Sequence, residues 1–288
     1  MGAKLMQVMN KPDAITECNT LNDKDFMRYS RQVLLPEVGE AGQLRLADAH
    51  VVVVGIGGLG QLAAQYLACA GVGELTLIDM DKVEVSNLPR QLLFSDADIG
   101  LNKALVAKER LNFLAPNCTI TAYETSFNIK QLYGVLQKKR QGKCTLVLDC
   151  TDNFETRQLI NRSCVEAYLP LVSASIAAFS GQLFAVDQIS FPSSGCYHCI
   201  FPAHTRVSHS CSTQGVLGPS VGVMASMQSL VAMQLLLGMD SRCDGALHPL
   251  LGHFWRFDAK SLSWISAKLT RDPYCDVCGV RKAIPYLT

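Results

Sequence analysis

The sequence predicts an α/β protein built on a doubly wound, Rossmann-like sheet with an antiparallel extension at its C-terminal end that cysteine pairs tie to the rest of the chain. Three observations predict this fold. His50–Val54 is a continuous apolar run, and a glycine-rich turn that starts at Gly55 joins it to a helical segment. Strand-like and helix-like segments then alternate along the chain, which is typical of parallel sheets. Two Cys-x-x-C pairs, Cys196–Cys199 and Cys275–Cys278, follow in the later part of the chain.

Composition narrows the possible function classes. The chain has 288 residues, a net charge of +1 and 49% hydrophobic residues. Such a chain can bury a sizeable core, and its near-zero charge argues against a broad surface for nucleic acid or membrane. Residues 1–20 contain no continuous apolar segment of the signal-peptide kind. Twelve cysteines in such a chain favour a reducing compartment, so a cytoplasmic protein is expected.

The first elements follow from local patterns. Residues 1–21 show no clear periodicity and are expected to form an N-terminal extension, with a single domain over residues 22–288. Asn22 is typical of a helix cap, and acidic residues follow it, so a helix is expected from there to about Pro36. A second, short helix is expected over Glu40–Ala47.

Strands and helices are then expected to alternate as far as the first cysteine pair. The expected helices are Gln61–Ala70, Asn102–Leu114, Ile129–Lys139 and Phe154–Tyr168. The expected strands are Glu74–Asp79, Thr119–Tyr123, Thr145–Asp149 and Leu171–Ser175. A long apolar helix from about Pro219 is interrupted by Ser and Gln, which suits a buried helix better than a membrane span. A terminal hairpin is expected over Phe254–Asp258 and Ser263–Lys268.

The two cysteine pairs have the spacing of a structural zinc site. Together they can present four thiolates to one tetrahedral Zn²⁺, which leaves no open coordination position for chemistry. The predicted ligands are Cys196, Cys199, Cys275 and Cys278. Such a site would tie the end of the chain to its middle. Two unrelated pairs, or redox-active dithiols, are the alternatives.

A glycine pattern predicts a nucleotide site. Gly55, Gly57 and Gly60 satisfy G-x-G-x-x-G between a strand and a helix, where a nucleotide phosphate can bind the helix N-terminus. Asp79 ends the next strand, close to where a ribose-binding carboxylate is expected. Taken alone, this fingerprint would also fit an NAD-dependent oxidoreductase.

The loops after the strands carry more charge than a dehydrogenase needs. Asn87 and Arg90 lie in a polar stretch after the second strand, and Lys103 lies near the start of the next helix. Asp152 and Asn153 follow a later strand, and the carboxyl ends of parallel strands meet at one edge of a sheet. Cations there can neutralise charge that develops on phosphorus, and a carboxylate can hold Mg²⁺. The set therefore predicts chemistry on a nucleoside triphosphate.

In these residues the chain resembles the MoeB/ThiF family of the ubiquitin-activating-enzyme superfamily. The resemblance runs from about residue 25 to residue 279. The matching motifs are Arg28–Gln32, Gly55–Gly60, Asp79–Gln91, Cys150–Asn153, Gly215–Pro219 and both cysteine pairs. The ordered combination is specific, whereas the glycine pattern alone would not be.

The resemblance implies an activity. It implies ATP-dependent adenylation of the C-terminal glycine carboxylate of a ubiquitin-like sulfur carrier ending in Gly-Gly, in thiamine or molybdopterin biosynthesis. It also implies a homodimer that uses Mg²⁺ and holds Zn²⁺. No rhodanese-type segment is recognisable, so an external sulfur donor, a cysteine desulfurase or a rhodanese, is expected. The alternative of an inactive carrier-binding scaffold is disfavoured, because Arg90, Lys103 and Asp152 are all present.

The resemblance also implies roles for individual residues. The expected catalytic residues are Arg31, Arg90, Lys103, Asp152 and Cys211. The expected nucleotide-binding residues are Gly55, Gly57, Gly58, Gly60, Asp79, Asp81, Ser86, Asn87, Arg90, Lys103, Asp152 and Asn153. Arg31 is expected to reach the site of the neighbouring subunit. Cys211 is expected to form a covalent link with the carrier, helped by His209, and an incidental thiol is the alternative.

Overall fold

Helices and strands alternate through the computed structural model, which describes residues 20–132, 137, 143–203, 205, 215–239 and 251–279. The helices are α1 Asp23–Val33, α2 Gly39–Asp48, α3 Gly58–Cys69, α4 Lys103–Leu114, α5 Phe154–Ala167, α6 Tyr197–Ile200 and α7 Gly218–Leu236. The strands are β1 His50–Val54, β2 Glu74–Ile78, β3 Thr119–Tyr123, β4 Thr145–Asp149, β5 Leu171–Ala177, β6 Ser180–Val186, β7 His253–Asp258 and β8 Ser263–Lys268.

The described strands form one mixed sheet in the order β3-β2-β1-β4-β5-β6-β7-β8. Strands β1 to β5 run parallel, and β6, β7 and β8 join them as antiparallel neighbours. Strand β1 pairs with both β2 and β4, so the order of the parallel strands reverses beside it. The predicted doubly wound sheet with an antiparallel extension is confirmed.

Both faces of the central strand are covered. Val51 and Val53 pack in a core with α3, α4 and α7, whereas Val52 and Val54 pack in a second core with α5 and the cysteine pairs. All five residues of β1 are buried. This burial explains why the strand is a continuous apolar run and not an alternating one.

The start of α1 agrees with the prediction, but its end does not. The side chain of Asn22 accepts a hydrogen bond from the Asp25 amide at 2.9 Å, as a cap should. The helix ends at Val33, three residues before Pro36. A residue before proline is driven out of the helical region, so the helix must stop earlier than the proline itself.

One further expectation was displaced. Helix α3 begins at Gly58, inside the glycine pattern, and not at Gln61. The helix expected over Ile129–Lys139 is described only in part. It opens with a short 3₁₀ turn at Ile129–Gln131, Leu132 and Gln137 are helical, and the other residues of this range lie outside the described part.

Helix α7 is a core helix. In the described part of the chain it is the one helix long and apolar enough to cross a membrane, yet half of it is buried inside the protein. Its Gln228 is fully buried and donates hydrogen bonds to the backbone oxygens of Asp149 and Val172, at 2.9 and 3.1 Å. These polar contacts fix the helix against strands β4 and β5, which confirms the expectation of a buried helix.

The glycines of the turn differ in how much space surrounds them, which gives a stability prediction. A Cβ added at Gly60 would lie 1.8 Å from the Gly55 backbone oxygen, so Gly60→Ala should lower the free energy of unfolding by at least about 2 kcal/mol. At Gly57 the nearest atom would be 3.8 Å away, so Gly57→Ala should cost less than about 1 kcal/mol. Urea denaturation followed by circular dichroism measures both, and equal losses would contradict this assignment.

Candidate functional site

The candidate site lies where the turn after β1 meets the loop after β4. Gly55 has a φ of +86°, and a Cβ there would lie 2.9 Å from the Cys150 backbone oxygen and 3.2 Å from the Thr151 nitrogen. Glycine is therefore needed for its backbone angle and for the close approach. The two loops meet at the point where the strand order reverses, and ligands of open α/β sheets are expected to bind in the crevice at this point.

Asp79 joins a third loop to this crevice. Its carboxylate accepts hydrogen bonds from the Ile56 amide at 2.5 Å and from the Asp81 amide at 2.7 Å. Burial raises the pKa of Asp79, and the two backbone hydrogen bonds act in the opposite direction. The carboxylate is thus held rigidly beside the glycine turn, as a group that accepts hydrogen bonds from ribose hydroxyls would need to be.

Arg90 lies over the start of helix α3. Its Nη1 donates to the Ser86 backbone oxygen at 2.7 Å, and its Cδ would lie 3.9 Å from a Cβ added at Gly58. Asn87 is buried, and its side chain accepts from the Glu84 amide at 3.3 Å. Asn87 therefore shapes the loop, while Arg90 presents a cation at a helix N-terminus that can bind phosphate.

Lys103 supplies a second cation near Asp79. Its Nζ lies 3.1 Å from Asp81 Oδ2, and its side chain is 8% exposed whereas that of Asp81 is 58% exposed. The preceding residue, Asn102, donates to the Asp79 backbone oxygen at 3.0 Å, which ties the start of α4 to this loop. Lys103 is therefore held at the same edge of the sheet, with its charge stabilised by Asp81.

Asp152 and Asn153 lie on the loop after β4 and differ in their hydrogen bonding. Asp152 is exposed and makes no hydrogen bond or ion pair within the described residues. Asn153 caps helix α5, because its side chain accepts from the Thr156 amide at 2.9 Å. Asp79 and Asp81 already have partners, so the Asp152 carboxylate is the one of these three that is available to a cation.

A buried ion pair, which was not predicted from the sequence, fixes the loop after β4. Arg157 Nε lies 3.2 Å from Asp149 Oδ2, and both side chains are buried. Asp149 also accepts from the hydroxyls of Ser173 at 2.7 Å and Thr151 at 2.6 Å. Arg157 donates in turn to the Thr151 backbone oxygen. One feature of the sequence could have predicted this pair. Asp149 ends a fully buried strand, a buried carboxylate needs a partner, and Arg157 follows in the next helix.

The structure does not bring Arg31 to this crevice. Helix α1 packs at the amino ends of the strands, where Asp25 accepts from Asn117 at 2.8 Å and Gln32 donates to the Ala70 backbone oxygen at 3.0 Å. Arg31 is exposed there. Five-residue strands separate that edge from the carboxyl edge by about 15 Å. Arg31 therefore cannot complete the site of its own chain.

The four predicted metal ligands come together. The sulfur atoms of Cys196, Cys199, Cys275 and Cys278 all lie within 4.8 Å of one another. The Cys196–Cys275 sulfurs are 3.9 Å apart and the Cys199–Cys278 sulfurs 3.4 Å apart, close to the roughly 3.8 Å expected around a tetrahedral metal with ligands at about 2.3 Å. Backbone amides of Asp272 and Val277 point at two of the sulfurs, at 3.5 and 3.4 Å. This donor set fits a metal ion.

The predicted loop thiol, Cys211, lies outside the described residues, as does His209. The role of Cys211 as a link to the carrier therefore stays a prediction from the resemblance.

Comparison with known proteins identifies relatives that span nearly the whole chain. A model of the ThiF family matches residues 29–277. The sulfur carrier protein ThiS adenylyltransferase of Escherichia coli (strain K12) is 43% identical over 265 residues, which cover 92% of this chain and 100% of the relative. The molybdopterin-synthase adenylyltransferase of the same strain is 37% identical over 260 residues, which cover 90% of this chain and 98% of the relative.

Solved structures share the fold. The crystal structure of E. coli MccB with MccA-N7isoASN matches with a TM-score of 0.72 and covers 90% of this chain and 76% of that chain. The two sequences are 24% identical, so this likeness shows the fold alone.

Proposed function

This chain belongs to the ThiF family, and on that premise we propose that it is an ATP-dependent adenylyltransferase that activates a ubiquitin-like sulfur carrier protein. The proposed substrate group is the C-terminal glycine carboxylate of the carrier. Relatives named for ThiS and for molybdopterin synthase are both similar to this chain, so the carrier belongs to one of those two classes.

One observation carries the proposal. Five groups lie at the edge of the sheet where the strand order reverses. They are the N-terminus of α3, the ribose-type carboxylate of Asp79, the cations Arg90 and Lys103, and the carboxylate of Asp152. An NAD-dependent oxidoreductase would use the glycine turn and Asp79 but has no need of Arg90, Lys103 and Asp152 together. A triphosphate does need them, because its charge must be neutralised while pyrophosphate leaves.

The reaction follows from these groups. One carrier carboxylate oxygen attacks the α-phosphorus of ATP, a bond to AMP forms, and the bond to the β-phosphate oxygen breaks to release pyrophosphate. The carboxylate is already ionised at neutral pH, so no general base is required. Positioning and charge neutralisation supply most of the acceleration, as in other phosphoryl transfers. In this proposal Arg90 and Lys103 bind the phosphates and Asp79 binds the ribose.

Magnesium is proposed as the companion of ATP. Its preferred ligands are oxygens, and Asp152 offers a carboxylate that has no partner in the described part of the chain. When bound through Asp152, the ion would supply positive charge that stabilises the departing pyrophosphate. Asn153 supports this by capping α5 and so fixing the loop that carries Asp152.

We also propose a homodimer in which Arg31 completes the site of the partner subunit. The position of α1 at the opposite edge of the sheet supports this, because Arg31 cannot reach the crevice of its own chain. The sulfur is proposed to come from an external donor, a cysteine desulfurase or a rhodanese. We infer a cytoplasmic location, because the cysteines in the described residues form no disulfide and four of them are arranged as metal ligands.

ATP–pyrophosphate exchange tests the function directly. The purified protein should exchange labelled pyrophosphate into ATP when either a ThiS-type or a molybdopterin-type carrier ending in Gly-Gly is added, and the active carrier identifies the substrate. ATP with Mg²⁺, but not NAD, should protect the protein from thermal unfolding. Protection by NAD, with no exchange on either carrier, would overturn the proposal.

Asp152→Ala should reduce exchange by at least about 100-fold, because the variant loses an electrostatic contact that the transition state requires. Glu155→Ala is the matched control, since it removes another exposed carboxylate from the same helix start and should exchange like the wild type. Thermal unfolding of both variants checks that folding is intact. Near wild-type exchange by Asp152→Ala would remove this residue from the mechanism.

The dimer proposal predicts complementation between two inactive variants. Arg31→Ala and Arg90→Ala should each be inactive alone. After subunit exchange, a mixed dimer has one site with both arginines, so an equal mixture should recover about a quarter of the wild-type sites. The control mixture of Arg90→Ala with Asp152→Ala should recover nothing, because both residues belong to the same chain's site. If the mixture of Arg31→Ala and Arg90→Ala recovers no activity although subunit exchange is proven, Arg31 does not belong to the partner's nucleotide site.

The proposed zinc site predicts a stoichiometry. Metal analysis of the purified protein should give one zinc per chain, and removal of the metal should lower the melting temperature, because a site of four thiolates contributes directly to the free energy of folding. Less than half an equivalent of zinc, or an unchanged melting temperature after removal, would contradict a structural zinc at Cys196, Cys199, Cys275 and Cys278.

A further inference from the structure

Helix α5 connects the candidate nucleotide site with the cysteine cluster. Its N-terminus is capped by Asn153, directly after Asp152. Two turns later its buried face meets the first cysteine pair. The distance along the helix axis from Asn153 to Asn161 is about 12 Å, and rigid secondary-structure elements are among the features that carry coupling between two sites.

Asn161 makes the contact with the cluster. It is fully buried, its Nδ2 lies 3.4 Å from Cys196 Sγ, and its Oδ1 accepts a hydrogen bond from the Tyr197 amide at 3.0 Å. Burying an amide is costly unless both of its ends are bonded. Both ends of Asn161 are bonded, one to the sulfur of Cys196 and the other to the backbone of Tyr197, which lies between the two cysteines.

Two neighbouring residues on α5 extend this attachment in opposite directions. The side chain of Gln158 donates to the Phe201 backbone oxygen and lies 3.0 Å from His198 Nδ1, so it holds the same cysteine-containing segment. Arg157 points the other way, to Asp149 and to the backbone oxygen of Thr151. One helix turn therefore contacts both the cluster and the loop that precedes Asp152.

From this geometry we propose that Asn161 is a positioning residue that orients the Cys196 thiolate in the loaded cluster and couples the cluster, through α5, to the magnesium–nucleotide site. The second half of this inference rests on the proposed function. An N–H donor lowers the electron-donating power of a ligating sulfur and fixes its direction, which is how groups behind metal ligands tune a site. A loosened cluster releases α5, and Asp152 then loses its fixed position relative to the glycine turn.

The test compares Asn161→Leu with Arg162→Leu. Leucine has the same branching and the same number of side-chain heavy atoms as asparagine but donates and accepts no hydrogen bond, so the variant removes the bonds to Cys196 and Tyr197 and keeps a branched side chain at this position. Arg162 is the exposed neighbour on the same helix and serves as the matched control. If Asn161→Leu does not fold, Asn161→Ala, which only deletes the amide, takes its place in the same comparison.

Three readouts are expected to change in Asn161→Leu and to stay at wild-type values in Arg162→Leu. Zinc release to an excess of chelator should become about 10-fold faster or more. In cobalt-substituted protein, the thiolate-to-metal charge-transfer band should move to lower energy, because the sulfur loses its hydrogen bond. The KM for ATP·Mg²⁺ should rise at least about threefold, with a smaller change in kcat.

The outcomes separate the two proposals. Unchanged zinc release and an unchanged cobalt spectrum would overturn the role of Asn161. Altered metal readouts with an unchanged KM for ATP·Mg²⁺ would overturn the coupling. If the wild-type protein shows no exchange and binds no ATP, the proposed function fails, whereas the zinc and cobalt measurements still decide whether Asn161 orients Cys196.

Discussion

A close approach of backbone to backbone holds the candidate site together. The turn after β1 contacts the loop after β4, where a side chain at Gly55 would meet the Cys150 oxygen at 2.9 Å. Within the turn, a side chain at Gly60 would overlap the Gly55 oxygen. The Asp79 carboxylate is attached to the same turn through the Ile56 amide. Three loops therefore keep their mutual distances only while these glycines allow the approach, and the cations on those loops depend on it as well.

Buried charge gives the site its rigidity and also limits its stability. Because burial raises the pKa of Asp79, this group favours the folded state in acid, and that contribution is lost as the pH rises through the raised pKa. Near neutral pH the ionised carboxylate opposes folding, and its two backbone hydrogen bonds limit the cost. Asp149 and Arg157 compensate each other, and a pair of this kind is costly to break because one buried charge would remain.

Local patterns in the sequence predicted most elements and much of the site. The apolar run at β1, the capping residue Asn22 and the long helix α7 were each identified from neighbouring residues, and the structure confirms them. The four candidate metal ligands followed from spacing alone, and their sulfur atoms lie within 4.8 Å of one another. Arg157 and Asn161 were missed, because their partners, Asp149 and Cys196, belong to other elements and no local pattern records such a contact.

By itself the sequence determined which segments are strands, which glycines form a turn and which cysteines can share a metal, because these properties depend on residues close together in the chain. Only the tertiary structure decided that β4 lies beside β1, which brings the loop that carries Asp152 against the glycine turn. It also decided that Arg31 lies at the far edge of the sheet. Strand order and helix placement depend on how apolar faces are buried against distant elements, and that information is carried by the packed whole and not by any one segment.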